Sequence, residues 1–190
     1  MSQLSMEKGD LEDVPEVAVP EGYRLRTFRP GDEIGLAHIY TVCELGNESP
    51  GAIRHRMLEH PCFAPERIFL LEWAGEAVAT AAAWVEPDQP GYGYLRMVGV
   101  LPEHRRKRLG VTVALAAIAH TRGEGLRRQR LRTDDWRHVA IGMYLDLGFV
   151  PLLLDATHAT RWEIVGNELG RPDLVSRGRP RAARRRRGGL

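Results

Sequence analysis

The spacing of apolar positions changes several times along the chain, and the changes predict strands and helices in a mixed order. Tyr23–Phe28 alternates as a short strand. Pro30-Gly31-Asp32 then opens a helix carrying Ile34, Leu36, Ile39, Tyr40 and Cys43, with Asp32 as its expected cap. Ser49-Pro50, a cap followed by proline in the first turn, starts a second helix that runs to His60. Arg67–Trp73 and Ala77–Val85 read as strands joined through Ala74-Gly75-Glu76 at hairpin spacing. A turn cluster at Glu86–Gly91 precedes a strand at Tyr92–Leu101. Leu109–His120 is apolar nearly all round, which predicts a heavily buried helix. A strand at Arg128–Thr133, a helix at Asp135–Leu147 closed by Gly148, and a strand at Phe149–Leu154 follow. The last predicted helix, Thr157–Leu169, sets Trp162, Val165 and Leu169 on one face.

Hairpins early and a strand–helix–strand crossover later predict an α/β (α+β mixed) fold, with one domain over residues 21–170. Residues 1–20, polar and acidic with prolines at 15 and 20, are expected to be a flexible N-terminal segment. Residues 171–190, rich in arginine, are expected to be a disordered tail. The formal net charge of +2 conceals this asymmetry. The first sixteen residues hold five acids against Lys8, and the last twenty hold eight arginines against Asp173.

Several classes are disfavoured. The longest apolar run, Ala77–Val85, contains Thr80 and falls far short of the roughly 20 residues of a membrane span. The acidic N-terminus lacks a hydrophobic segment, and Cys43 and Cys62 cannot build a disulfide framework, so a cytoplasmic setting is expected. The seven histidines lack metal-binding spacing, and no metal is expected. Ser49, the only serine between residues 6 and 175, reads as a helix cap, which argues against a serine hydrolase.

Three stretches carry candidate chemistry. Arg105, Arg106, Lys107 and Arg108 stand between a strand and a buried helix, where Gly110 lets an anion approach the backbone. The arrangement fits either an anion site or a solvated basic loop. Gly99 within an apolar strand marks a bulge, a ligand lying against the backbone, or room for a bulky neighbour. Trp136, Ala140, Met143, Tyr144 and Leu147 form one helical stripe, which turns Tyr144 inward as a core residue or a site residue. Asp134 and Asp135 fit helix capping or general-base chemistry, and Glu72 and Glu86 are further base candidates at strand positions.

Val98-Gly99-Val100-Leu101-Pro102-Glu103-His104-Arg105 resembles the V-x-V-x-P-x-x-R strand end of the GNAT superfamily of acetyl-CoA-dependent N-acetyltransferases. Arg105–Gly110 resembles that family's R/Q-x-x-G-x-G/A loop, with Arg108 in place of the first glycine. Ala140, Tyr144, Gly148 and Phe149 match its A-x-x-x-Y-x-x-x-G-F pattern. The resemblance implies a mostly antiparallel twisted sheet flanked by helices. It also implies acetyl transfer from acetyl-CoA to a small-molecule or peptide amine by direct attack in a ternary complex. Val98, Gly99 and Val100 would pair with the pantetheine arm and polarise the thioester. Arg105, Arg106, Lys107, Arg108, Leu109, Gly110 and Val111 would hold the pyrophosphate. Tyr144 would protonate the departing thiolate. The residues themselves leave the base open among Asp134, Asp135, Glu72, Glu86 and a chain of water, with Asp134 taken as the first candidate. Arg137 stands where many relatives carry asparagine. The alternative is an inactive GNAT-like binding module that contacts nucleic acid through the Arg-rich tail. The acceptor and the oligomeric state are left open by the sequence.

Overall fold

Two short apolar strands separated by a two-residue turn can only return antiparallel, and that hairpin is the centre of the fold. The computed structural model describes residues 3–46, 49–86 and 91–180, and the chain divides into two units, Gly9–Arg130 and Met1–Lys8 with Leu131–Leu190.

In the Gly9–Arg130 unit, β2 (Tyr23–Thr27), β3 (Ile68–Trp73), β4 (Glu76–Trp84) and β5 (Gly93–Val100) lie side by side, each antiparallel to the next. Ala74 and Gly75 form the β3–β4 turn with φ of 51° and 88°, the left-handed pair that matches strand twist. β6 (Gln129–Thr133) begins here, parallel to β5, through the pairs Gly93–Gln129 and Tyr94–Arg130. The helix α3 (Leu109–Gly123) packs on β3, β4 and β5, while α1 (Glu33–Val42) packs on β4 and β5. Ala79, Ala81 and Ala83 are buried in β4, and such small residues let neighbouring elements approach closely. The predicted burial of α3 holds, from Leu109 through Val113 and Ala117 to Thr121.

Three local expectations fail. Asp32 precedes α1 without capping it by its side chain. Its carboxylate instead accepts from both terminal nitrogens of Arg26, at 2.5 and 2.7 Å, and from the Arg29 N–H at 2.6 Å. Ile34, expected on the apolar face, is exposed. The second helix starts as predicted, with the Ala52 N–H donating to Ser49 Oγ at 3.2 Å, but α2 covers only Pro50–Ile53 before a π-helical turn over Arg54–Leu58.

The other unit orders its strands β6-β1-β7-β8. β1 (Leu4–Lys8) runs antiparallel to β7 (Val150–Leu153), and β8 (Arg179–Pro180) runs parallel to β7. Its helices are α4 (His138–Asp146), α5 (Ala156–Glu168) and α6 (Leu174–Arg177). Residues 1–20 are therefore not simply a flexible segment. Leu4 and Met6 are fully buried in a strand whose neighbours lie far along the chain, so local composition could not reveal it. Likewise 171–180 is ordered, because Leu174 is buried and α6 packs on α5 and β7. The expectations for the arginines of 181–190, nucleic-acid contact included, lie outside the described residues. Among the described residues no helix is long and apolar enough to cross a membrane.

Candidate active site

β5 changes character before it ends. Its register against β4 passes from Arg96–Ala82 to Gly99–Thr80, so Met97 and Val98 oppose Ala81 alone, and Met97 takes a φ of 54°. This is a β-bulge, which re-aims the Val98–Val100 backbone. Gly99 lies two residues beyond the bulge and has a different role. A Cβ there would stand 2.9 Å from Leu45 Cδ1 and 3.0 Å from Ile39 Cγ2, so the glycine admits the α1 side of the core. Its open face holds protein, not a ligand. The Val100 carbonyl accepts from Arg105 Nε at 3.2 Å and from the Cys43 thiol at 3.3 Å, which ties the strand end to both the loop and α1.

Beyond β5, Pro102–His104 makes one 3-10 turn and Arg105–Arg108 leads into α3. All four basic side chains are exposed. Among the described residues none of them pairs with a carboxylate. Arg106 and Arg108 both have a φ of 61°. Arg108 sits at the left-handed N-cap of α3 without a side-chain cap, and its carbonyl receives the first helical N–H, from Thr112 at 3.0 Å. The preceding amides of Leu109, Gly110 and Val111 are the helix-start donors that have no intrahelical acceptor. Exposed cations beside these amides and the positive end of the helix dipole make a site for an anion.

Aromatic contacts hold the loop from below. Lys107 Nζ donates to Tyr23 Oη at 3.1 Å and lies 5.8 Å from the ring centres of Tyr23 and Trp73. Tyr23 Oη is also 2.9 Å from His104 Nδ1. With Lys107 donating, the Tyr23 hydroxyl proton is free to go to His104. Nothing in the local pattern of β2 signalled this support, because its two partners lie about eighty residues away.

Tyr144 is buried in the other unit, 6.0 Å from the Phe149 ring centre. Burial raises its phenol above the ordinary tyrosine range, and the Arg137 charge only partly opposes the shift, so it stays protonated at neutral pH. The stripe predicted around it shifts. Trp136 is exposed with Arg137 stacked 4.2 Å over its ring, and α4 begins only at His138, leaving Ile141 and Tyr144 as the buried pair. Neither neighbouring aspartate caps α4. Asp134 accepts from Gln3 Nε2 and from Arg137 Nε, both at 3.1 Å. Asp135 accepts from Arg161 at 2.5 and 2.9 Å, and that hydrogen bond holds its carboxyl below the usual range. Glu72 also fails as a base. Burial would raise its carboxyl, but hydrogen bonds from Arg26 and Arg24 outweigh burial and lower it.

The sequence model of the acetyltransferase (GNAT) family matches residues 35–149, more than half of the chain and inclusive of the bulged strand, the basic loop, α3 and α4. The chain belongs to the GNAT family. Mycothiol acetyltransferase of Thermobispora bispora is 34% identical over 155 residues, covering 76% of this chain and 52% of that protein. The chain thus spans about half the length of the curated relatives it matches. Among solved structures, a GCN5-related N-acetyltransferase from Sphaerobacter thermophilus superposes with a TM-score of 0.62 at 19% identity, over 80% of this chain and 49% of that one. A tandem GNAT protein from the clavulanic acid biosynthesis pathway gives 0.58 at 24% identity, over 79% and 50%. These likenesses show the GNAT fold, a mixed sheet flanked by helices.

Proposed function

We propose that this GNAT chain transfers an acetyl group from acetyl-CoA to an amine. The observation that carries the proposal is the set of four exposed cations without carboxylate partners among the described residues, placed at the start of a long buried helix. Such a group is complementary to a pyrophosphate, and the open amides of Leu109, Gly110 and Val111 add neutral donors. Arg106 and Arg108 are the arms left for phosphate contact, since Arg105 bonds Val100 and Lys107 rests on Tyr23. The pantetheine arm would run along Val98–Val100. There the Val100 carbonyl is already used, so strand-like contacts fall to Val98 and to the re-aimed amides beyond the bulge.

Acetyl-CoA supplies an activated carbonyl. The chain's residues bind it, polarise that carbonyl and manage two protons. The amine must shed a proton, because its ordinary pKa near ~10.4 leaves it mostly protonated at neutral pH. Tyr144 remains a proton-bearing phenol and is suited to face the departing thiolate. A thiol near ~8.5 is the stronger acid, so the phenol stabilises the thiolate chiefly as a hydrogen-bond donor and transfers its proton only in part. Asp134, with both oxygens engaged by Gln3 and Arg137, enters the proposal as a positioning residue for the start of α4.

Calorimetry with acetyl-CoA tests the binding. Saturable heat is expected from the wild type, and the double substitution Arg106→Glu, Arg108→Glu abolishes it. Thiol release in the presence of an amine panel tests the transfer, with Tyr144→Phe lowering kcat about 10²-fold while the coenzyme Kd holds. The absence of both heat and thermal shift at millimolar coenzyme ends the proposal.

A further inference from the structure

We propose that Arg96 reads a carboxylate on the acceptor, so that the substrate class is an amine bearing a carboxylate group. The inference rests on the acetyl-transfer reading and extends it to specificity.

Arg96 lies on β5 immediately before the bulge, in register with Ala82, while Tyr94 is in register with Trp84. The two pairs share one face of the sheet. The Arg96 guanidinium stands 5.6 Å from the Trp84 ring centre and 5.9 Å from that of Tyr94, and the His60 ring lies tilted against Trp84 at 5.0 Å. Stacking of this kind fixes the plane of the guanidinium and leaves its fork of N–H donors open.

Four other arginines of this unit are held more tightly. Arg24 and Arg26 engage Glu72, Arg54 engages Glu33, and Arg67 engages Glu124, each by a direct hydrogen bond. Arg96 has no hydrogen bond among the described residues. Among the described residues its nearest carboxylate, Glu86, is 3.9 Å away, at the limit of an ion pair, and the side chain is 44% exposed. Trp84 Nε1 is buried with no partner among the described residues, and so is the hydroxyl of Thr80, four residues back along β4. Ala82, opposite Arg96, contributes only a buried methyl group. A guanidinium set among aromatic rings and paired with Glu86 only at 3.9 Å keeps N–H donors for a ligand, and its fork matches a carboxylate best.

The position also suits the reaction. Val98, whose backbone is proposed to meet the thioester arm, follows Arg96 by two residues, just across the bulge at Met97. One small acceptor can therefore rest its carboxylate on Arg96 while its amine reaches the acetyl carbon. In the transfer the amine nitrogen bonds to that carbon, the carbon–sulfur bond breaks, one proton leaves nitrogen and one ends on the coenzyme sulfur. The carboxylate is held throughout and does not react.

The test is thiol release from acetyl-CoA with α-amino acids and dipeptides, each compared with its own carboxamide. The wild type is expected to favour the acids by about 10-fold or more in kcat/KM. Arg96→Gln raises KM for an acid about 10- to 100-fold, changes kcat little, and leaves the matching amide unaffected. Arg96→Lys recovers part of the preference, because the charge returns without the bidentate fork. Coenzyme Kd, measured alone, stays at the wild-type value in both variants. Equal rates for acid and amide in the wild type, or an equal loss for both in Arg96→Gln, would overturn the assignment of Arg96 while the acetyl-transfer reading stands. A wild type that binds no acetyl-CoA overturns both.

Discussion

Replacing Arg108 by glycine and, separately, by alanine divides its two roles. Arg108 adopts φ 61°, ψ 11° at the N-cap of α3, and a residue with a β-carbon costs about 1–2 kcal/mol there. Alanine keeps that cost and removes the charge; glycine removes both. Glycine also gives the unfolded chain more freedom, which offsets about 0.4–1 kcal/mol. Arg108→Gly should therefore be more stable than Arg108→Ala by about 0.5–1 kcal/mol, a shift of about 2 °C in Tm for a chain of this size. Coenzyme affinity should behave differently. Both variants lose the same charge-assisted phosphate contact, worth about 1.5–3 kcal/mol, so both should bind acetyl-CoA about 10- to 100-fold more weakly. Scanning calorimetry measures the first difference and titration calorimetry the second. Identical melting of the two variants would refute the backbone argument. Wild-type affinity in both would refute the phosphate contact and leave Arg108 as a solvated residue in a strained position.

Two further outcomes follow from packing and charge. Gly99→Val drives its side chain into Ile39 and Leu45, and the overpacking should cost about 1–3 kcal/mol by chemical denaturation; an unchanged midpoint would show that α1 yields there freely. Glu72 and Asp32 have carboxyls lowered in the folded state, where burial alone would raise them, because the hydrogen bonds from Arg26 outweigh it. The unfolded chain takes up their protons first, so their contribution is complete above the ordinary carboxylate range near ~4 and is lost as pH falls through the lower folded values. Glu72→Gln should accordingly cost about 3 kcal/mol at neutral pH and show a shallower loss of Tm with acid than the wild type, whereas parallel acid profiles would remove Glu72 from the linkage.

Much of the site was legible along the chain because its signals are local. The basic loop, the buried α3 and the inward turn of Tyr144 each follow from residues within one or two helical turns. The same locality explains the misreadings. Asp32 looked like a cap because the pattern could not show Arg26 reaching its carboxylate. Asp134 and Asp135 looked like caps or bases until Gln3, Arg137 and Arg161 were seen to hold them. Gly99 signalled an irregular strand, but the bulge falls at Met97, a residue without any compositional mark. Arg96 gave no signal at all, since its meaning depends on Trp84 across the hairpin.

From its sequence alone this chain declared its GNAT motifs, the strand–loop–helix that carries them and the period of nearly every element, since each is written in neighbouring residues. The tertiary structure alone decided that an acidic start is a buried strand, that the glycine in β5 makes room for α1, and that Arg96 meets Trp84 and Tyr94. Those outcomes are set by partners far apart along the chain. Strand pairing, ion pairing and aromatic stacking depend on distance in space, which periodicity does not encode.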